Sequence, residues 1–204
     1  SYMTMNNPYF EVINEEIKAV VENKGDVLET RDSAMDAEVQ AEQVEGFIDE
    51  KVDCILINAV DWKEIGSSLK KAKKAGIPVI AVDTLVYDQN LVDGIVVSDN
   101  YKAGAQCAKD LMKRKKGGKI LFLIQSENKS AIDRIKGFKE TLEKAGWNYE
   151  DIGDIECKGQ LEVSQPLVEN ILNKTKDIDV VVALNDPSAM GAMAALDAEH
   201  MLSD

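Results

Sequence analysis

The sequence predicts an α/β fold in which parallel sheets are flanked by helices. Strand-like apolar runs alternate with amphipathic helical runs along almost all of the 204 residues, which is the order of repeated β-α-β units. Residues 53–58 are an almost continuous apolar run, a pattern typical of a strand buried on both faces of a parallel sheet. Right-handed crossovers between such strands would place helices on both faces.

Each helix is predicted from the spacing of its apolar residues and from its ends. In the first helix, residues 9–24, the side chains of Phe10, Ile13 and Ile17 form one apolar stripe, and Gly25 ends the helix. The same logic predicts further helices at 36–50, 62–75, 101–116, 131–145, 161–174 and 188–200. The predicted strands are one already under way at Ser1, followed by 26–30, 53–58, 79–82, 94–97, 119–124, 152–156 and 180–184.

Composition and charge restrict the class of protein. Apolar residues make up 45% of the chain and charged residues 30%, as in soluble globular proteins. The net charge of -13 opposes binding to phosphate backbones, so no nucleic-acid partner is expected for this segment. The sequence has no apolar run of about 18 residues that would span a bilayer. It also does not open on a signal peptide, so any signal peptide is expected to have been removed.

Few residues are suited to catalysis or metal binding. The three cysteines, Cys54, Cys107 and Cys157, are scattered and make neither a disulfide framework nor a zinc pattern. Cys54 lies in an apolar strand run and is expected to be a packed thiol. With His200 as the single histidine, a histidine-based triad is improbable. The glycines at 117–118 precede a strand, so they predict a turn and not a phosphate loop. We therefore predict no cofactor and no enzymatic activity.

Polar side chains follow most of the predicted strands. In open parallel sheets, ligands bind outside the carboxyl ends of the strands. The segments at these ends are 6–10, 58–61, 83–84, 98–100, 125–128 and 185–186, with Arg134 on a helix that follows one of them. Their position predicts a site for a small polar ligand.

Six short motifs occur in a fixed order across essentially the whole chain. They are Asn6-Asn7-Pro8-Tyr9-Phe10, Ile57-Asn58 with Asp61, the run 76–83 that ends in Asp83, Ser98-Asp99-Asn100, Arg134 within 134–138, and Asn185-Asp186 followed by 189–192. In this order they resemble the type 1 periplasmic sugar-binding proteins of the ribose-binding-like branch. The effector domains of LacI-type repressors share that fold. Each motif alone is weak evidence for the family, whereas six motifs in the family's order are specific evidence for the resemblance.

The resemblance implies a periplasmic binding protein-like I fold with two similar lobes, each a parallel sheet flanked by helices. In this family the chain passes between lobes near residues 98–101. The N-terminal lobe would then be 1–99 and the C-terminal lobe 100–204, the latter incomplete at its C-terminal end. Family members continue with further strands and late pocket residues, usually an aspartate and often a glutamine.

The resemblance also implies a sugar pocket that closes between the lobes. Asp83 and Arg134 would bind the sugar from opposite lobes through charge-assisted hydrogen bonds, and Tyr9 and Phe10 would form a wall against its ring. The other implied contacts are Asn7, Asn58, Ser98, Glu127 and Asn185. Alternatives stay open for several of these residues: core packing for Phe10, helix capping for Asn7 and solvent exposure for Glu127.

One segment departs from the family pattern. After the strand at 152–156, many family members place an aromatic residue over the second face of the sugar ring. Residues 157–160 are Cys-Lys-Gly-Gln and contain no aromatic side chain. Two replacements stay open, a hydrogen bond from Gln160 or a ring contact from Trp62, and the sugar itself is not identified.

The resemblance implies a receptor that delivers a monosaccharide, or a derivative of one, to the membrane subunits of an ABC importer. Such a receptor acts in the periplasm or outside the cell, with or without a lipid anchor at the outer face of the membrane. The alternative is the effector domain of a LacI-type regulator, which would carry a DNA-binding module upstream. The acidity of the chain and the motif at 6–10 favour the receptor.

Overall fold

Two compact units, each built on a parallel sheet, make up the chain. The computed structural model describes residues 1–202, so the last two residues of the predicted C-terminal lobe lie outside the described part. The first unit contains Ser1–Ser98 together with Glu127–Lys129. The second contains Asp99–Ser126 together with the described residues from Ser130 onward. The predicted α/β class with parallel sheets flanked by helices is confirmed.

The first unit has three helices around its sheet. Its elements in chain order are α1 (Pro8–Glu22), α2 (Ala37–Asp49), β1 (Ile55–Ile57), α3 (Gly66–Ala75), β2 (Val79–Asp83), a short 3-10 turn (Gln89–Leu91) and β3 (Gly94–Val97). The strands are parallel in the order β1-β2-β3. Asp83 at the end of β2 lies opposite Val97 at the end of β3, so both strands end at one level.

The first residues of the chain add an extended segment beside β1. The Ser1 nitrogen donates to the Leu56 carbonyl at 2.9 Å, and the Asn58 N–H donates to the Ser1 carbonyl at 3.0 Å. On the other side, Tyr2 forms a parallel bridge with Asp32. Because these pairings are parallel, the polar segment that follows residue 3 leaves at the carboxyl ends of the strands.

The predicted strand at 26–30 is wrong. These residues form no strand, and the Val27 side chain is 89% exposed. The bridge to Tyr2 forms at Asp32, just beyond this segment. The two apolar residues of this segment, Val27 and Leu28, are adjacent and would face opposite sides of a strand. One apolar side chain on each side is too little to bury either face, so residues 26–30 remain a surface loop.

The second unit has the same construction. Its elements in chain order are α4 (Asn100–Arg114), β4 (Gly118–Ile124), α5 (Lys129–Lys144), β5 (Tyr149–Glu156), α6 (Leu161–Leu172), β6 (Val180–Ala183) and α7 (Asp186–Ala198). The strands are parallel in the order β5-β4-β6, so β4 is central.

The central strands are buried on both faces by helices. Ile120 and Phe122 of β4 pack against Phe138 of α5, whereas Leu123 of β4 packs with Val168 of α6. Alternate residues of one strand thus face different helices, as expected for a parallel sheet covered on both sides. In the first unit, the corresponding core consists mainly of Val44, Phe47, Ile55, Ile57, Leu69, Ala72, Val79 and Ala81.

The cysteines differ from the sequence prediction. Cys54 is exposed, because β1 begins only at Ile55, so the expected packed thiol is wrong at this position. Cys157 is the buried thiol, and it lies 3.6 Å from the Ile124 carbonyl and 3.4 Å from the Ser188 hydroxyl. Burial raises the pKa of the Cys157 thiol, which is the behaviour of a packed side chain and not of a nucleophile.

Residues 1–202 include no helix that is both long and apolar enough to cross a membrane. Within the same part of the chain, no three histidine, cysteine, aspartate or glutamate side chains come together as metal ligands would.

Candidate functional site

Two neighbouring strands of the first unit end in polar residues whose side chains meet. Asn58 follows β1 and Asp83 ends β2, and Asn58 Nδ2 donates to Asp83 Oδ2 at 3.2 Å. The same amide donates to the Val82 carbonyl at 3.3 Å, and its Oδ1 accepts from the Met3 N–H at 3.2 Å. Asn58 is only 2% exposed, so its amide holds three chain segments together and orients Asp83.

The backbone at Asp83 is strained. Its φ angle is +67°, in the left-handed region that few residues other than glycine adopt. The chain reverses sharply here, with the Thr84 N–H donating to the Val82 carbonyl at 2.8 Å. Strain of this kind clusters at ligand sites, where the surrounding structure holds one side chain in place. The conformation of Asp83 therefore supports a functional role at the end of β2.

The start of α1 separates its two aromatic side chains. Asn7 caps the helix, with its Oδ1 accepting from the Tyr9 N–H at 3.0 Å. Phe10 is 5% exposed and packs in a cluster with Tyr2 and Val60. Tyr9 is 51% exposed, and its ring lies edge-on to Phe10 with centroids 5.5 Å apart. Of the two predicted wall residues, Tyr9 offers an accessible ring and Phe10 supports it from the core.

Ser98 and Glu127 are both exposed, and both lie in the first unit. Ser98 directly follows β3. The Glu127 carbonyl accepts from the Trp62 N–H at 3.1 Å, and the neighbouring Asn128 amide lies 3.7 Å from Met3 Sδ. These contacts attach the segment Glu127–Lys129 to the first unit, although its position in the sequence falls within the predicted C-terminal lobe.

In the second unit, Arg134 connects three elements. Its guanidinium donates through Nη1 to the Leu184 carbonyl and through Nη2 to Asn100 Oδ1. Arg134 itself lies on α5, Asn100 begins α4, and Leu184 follows β6. The side chain is half-buried, so it is neither a simple surface ion pair nor part of the apolar core.

Asn185 lies directly after the carbonyl that Arg134 binds. Its Oδ1 caps α7 by accepting from the Ser188 N–H at 3.0 Å and from the Ser188 hydroxyl at 2.6 Å. Its Nδ2 donates to the Gly159 carbonyl at 2.9 Å. The structure thus brings Arg134 and Asn185 to adjacent positions at the carboxyl end of β6.

Two residues at this end of the second unit were not among the predicted contacts. Asn100 binds Arg134, as described above. Gln125 directly follows β4 and is 4% exposed, and its buried Nε2 has no hydrogen-bond partner within the described residues. The sequence could indicate these two residues only by their position, because both belong to polar segments that follow strands.

The segment without an aromatic residue approaches the same cluster. Gly159 has φ +68°, and a Cβ added there would lie 2.9 Å from Asn185 Nδ2 and 3.1 Å from Gln125 Oε1. An aromatic side chain at Gly159 would therefore collide with the polar residues at the strand ends.

A separate groove of about 340 Å³ lies beside α5 in the second unit. Its wall is largely apolar, with Ile132 and Ile135 among the lining residues. The Lys139 ammonium at its rim is bound by Asp151 at 2.8 Å and Asp154 at 2.9 Å. A wall of this kind suits a hydroxylated ligand less well than the polar strand ends do.

Comparison with known proteins gives matches over nearly the whole chain. A model of the periplasmic binding protein domain matches residues 1–204. The ribose import binding protein RbsB of Bacillus subtilis (strain 168) is 29% identical over 205 residues, covering 96% of this chain and 64% of that protein. The D-xylose-binding periplasmic protein of Escherichia coli (strain K12) is 32% identical over 173 residues, covering 80% and 51%. The chain thus spans about half to two thirds of the length of these relatives.

A solved structure of another sugar-binding protein is also similar to this chain. The crystal structure of a galactofuranose binding protein superimposes with a TM-score of 0.91 at 26% sequence identity. The superposition covers 98% of this chain and 70% of that chain.

Proposed function

Because the chain belongs to the periplasmic binding protein domain family, in its type 1 sugar-binding branch, we propose that the protein is a receptor for a neutral monosaccharide or a derivative of one. The family match over residues 1–204 carries this proposal. The relatives reported above are named for ribose and xylose and the solved neighbour for galactofuranose, which favours a pentose or a hexose.

The chemistry of the strand ends supports a sugar ligand. A sugar presents a ring of hydroxyl groups, each able to donate and accept, and one apolar ring face. We assign Asp83 as an acceptor for hydroxyl protons and Arg134 as a planar donor to two adjacent hydroxyl oxygens. The exposed ring of Tyr9 supplies the apolar surface. The other proposed contacts are Asn7, Ser98, Glu127 and Asn185, with Phe10 supporting Tyr9 from the core and Asn58 holding Asp83 in place.

We propose that the two predicted lobes, 1–99 and 100–204, each supply one charged group for sugar binding, Asp83 and Arg134. In this scheme, the receptor works outside the cytoplasm, in the periplasm or at the cell surface, and delivers the sugar to the membrane subunits of an ABC importer. The names of the relatives support this assignment, since they describe import and periplasmic binding proteins.

A thermal-shift screen of the full-length natural protein tests the ligand class. The panel contains D-ribose, D-xylose, L-arabinose, D-galactose and myo-inositol, with branched amino acids and nucleotides as the comparison set. A ligand at about one hundred times its Kd stabilises the folded state by about 2.7 kcal/mol, so a rise in Tm of a few degrees is expected with at least one sugar. A response restricted to branched amino acids or nucleotides would reject the proposed function.

A further inference from the structure

The orientation of the Arg134 side chain depends on one buried polar residue. Nη1 is bound by a main-chain carbonyl, that of Leu184, and Nη2 is bound by the side chain of Asn100. Asn100 is only 6% exposed. A guanidinium held at both terminal nitrogens cannot rotate about its last bonds, so the direction of its remaining N–H groups is fixed.

The backbone around Asn100 is built for close approach to Arg134. Gly104 lies one helical turn after Asn100 on α4, and a Cβ added there would lie 1.8 Å from the Arg134 carbonyl oxygen. On α5, a Cβ at Gly137 would lie 2.0 Å from the Tyr101 carbonyl oxygen. Only residues without a side chain allow α4 and α5 to cross at this distance. The crossing brings the first residue of α4 within hydrogen-bonding range of the Arg134 guanidinium.

A second contact fixes the rotation of the two helices about this crossing. The Tyr101 hydroxyl donates to Glu140 Oε2 at 2.8 Å, and Lys144 Nζ lies 3.0 Å from the same carboxylate oxygen. These hydrogen bonds hold the first turn of α4 against the C-terminal part of α5. The Asn100–Arg134 contact is therefore one part of a defined helix interface and not an isolated surface pair.

The residue type at position 100 suits a supporting role. An amide oxygen is neutral, so it can orient a guanidinium without cancelling its charge, whereas a carboxylate would form an ion pair with it. The positive charge of Arg134 then remains available to hydroxyl oxygens of a ligand.

We infer that Asn100 is a positioning residue for sugar binding: it acts through Arg134, by holding the guanidinium in the orientation that binds the sugar. This inference rests on the proposed function, because it requires Arg134 to contact the sugar. Asn100 makes no contact of its own with the sugar. Its effect on sugar affinity is expected to disappear when Arg134 is absent.

A double-mutant cycle in the full-length protein tests the inference. Calorimetry with the tightest-binding sugar of the panel compares wild type, Asn100→Ala, Arg134→Ala and the double variant. Loss of one hydrogen bond to a charged group predicts about a tenfold weaker affinity for Asn100→Ala. In the Arg134→Ala background the same change is expected to have no further effect, because residues that act as a unit are not additive.

Three further variants separate positioning from general structure. Asn100→Asp keeps an acceptor at the same place but forms an ion pair with the guanidinium, so its affinity is expected to lie between those of wild type and Asn100→Ala. Asn100→Ser is too short to reach Arg134 and is expected to lose about as much as Asn100→Ala, which also covers the case of an unstable alanine variant. Asn173→Ala, an exposed asparagine in the same unit, is the matched control and is expected to bind as wild type does.

The outcomes distinguish this inference from the proposed function. The positioning role of Asn100 would be overturned if Asn100→Ala lowered the sugar affinity equally in the wild-type and Arg134→Ala backgrounds, or did not lower it at all. Either result would leave the proposed receptor function unaffected. Unchanged sugar binding by Arg134→Ala would remove both the assigned role of Arg134 and that of Asn100. A wild-type protein that binds no sugar of the panel would overturn the proposed function itself.

Discussion

Replacing Asp83 or Arg134 by alanine in the full-length protein is expected to weaken sugar binding by about 2–4 kcal/mol, or about 30- to 1,000-fold in Kd. Each substitution removes a charged partner and leaves sugar hydroxyls unpaired inside a desolvated site. Isothermal titration calorimetry measures the change directly. Folding is expected to survive, because Asp83 ends a strand and Arg134 is half-buried, and neither belongs to an apolar core.

Two matched substitutions control for the loss of charge. Asp53 is exposed just before β1, at the opposite end of the sheet from Asp83, and Asp53→Ala removes the same charge. Arg114 ends α4 with a side chain that is 74% exposed, and Arg114→Ala removes a guanidinium from the same unit. Both controls are expected to bind as wild type does. Wild-type affinity in Asp83→Ala or Arg134→Ala would show that the assigned contact is absent.

Gly137→Ala is expected to lower the free energy of unfolding by about 1–3 kcal/mol, since a methyl group at this position overpacks the α4–α5 crossing. The added Cβ would meet main-chain atoms, with the Tyr101 carbonyl oxygen at 2.0 Å and its carbon at 2.8 Å, so no side-chain rotation can relieve the clash. The helices must move apart, and the Asn100–Arg134 contact is expected to loosen with them, which weakens sugar binding as well. Urea unfolding and calorimetry on the same variant report both effects.

Gly94→Ala is the control for this substitution. A Cβ at Gly94 would have its closest contact with the Ile80 side chain at 3.5 Å, an ordinary van der Waals distance. Its free energy of unfolding is expected to stay at or slightly above the wild-type value, because alanine restricts the unfolded chain more than glycine does. If Gly137→Ala were as stable as Gly94→Ala, the close crossing of α4 and α5 would not exist in solution.

The alternation of strands and helices was predictable because it depends on local periodicity. An amphipathic stripe such as Phe10, Ile13 and Ile17 repeats within one helix, and it predicted α1 to within two residues at each end. The predicted strand at 26–30 was wrong because two adjacent apolar residues, Val27 and Leu28, do not show whether a neighbouring strand will pair with them. Cys54 failed for a related reason, since burial in a sheet depends on where pairing starts.

The candidate site was predictable in position and not in its internal contacts. Parallel strands end at one edge, so the proximity of Asn58 and Asp83 follows from the order of elements. By contrast, the contact between Asn100 and Arg134 depends on how two helices cross, which no short-range pattern encodes. The burial of Phe10 beneath Tyr9 likewise follows from packing against Tyr2, so the motif alone could not decide between core packing and a ligand contact for Phe10.

A calorimetric titration of the full-length wild-type protein with the sugar that gives the largest thermal shift tests the proposed binding function most directly. We expect one saturable binding event per chain, and we expect the same event to be weakened in both Asp83→Ala and Arg134→Ala. Two independent events, one lost in each variant, or no saturable binding of any neutral monosaccharide, would refute the proposed function.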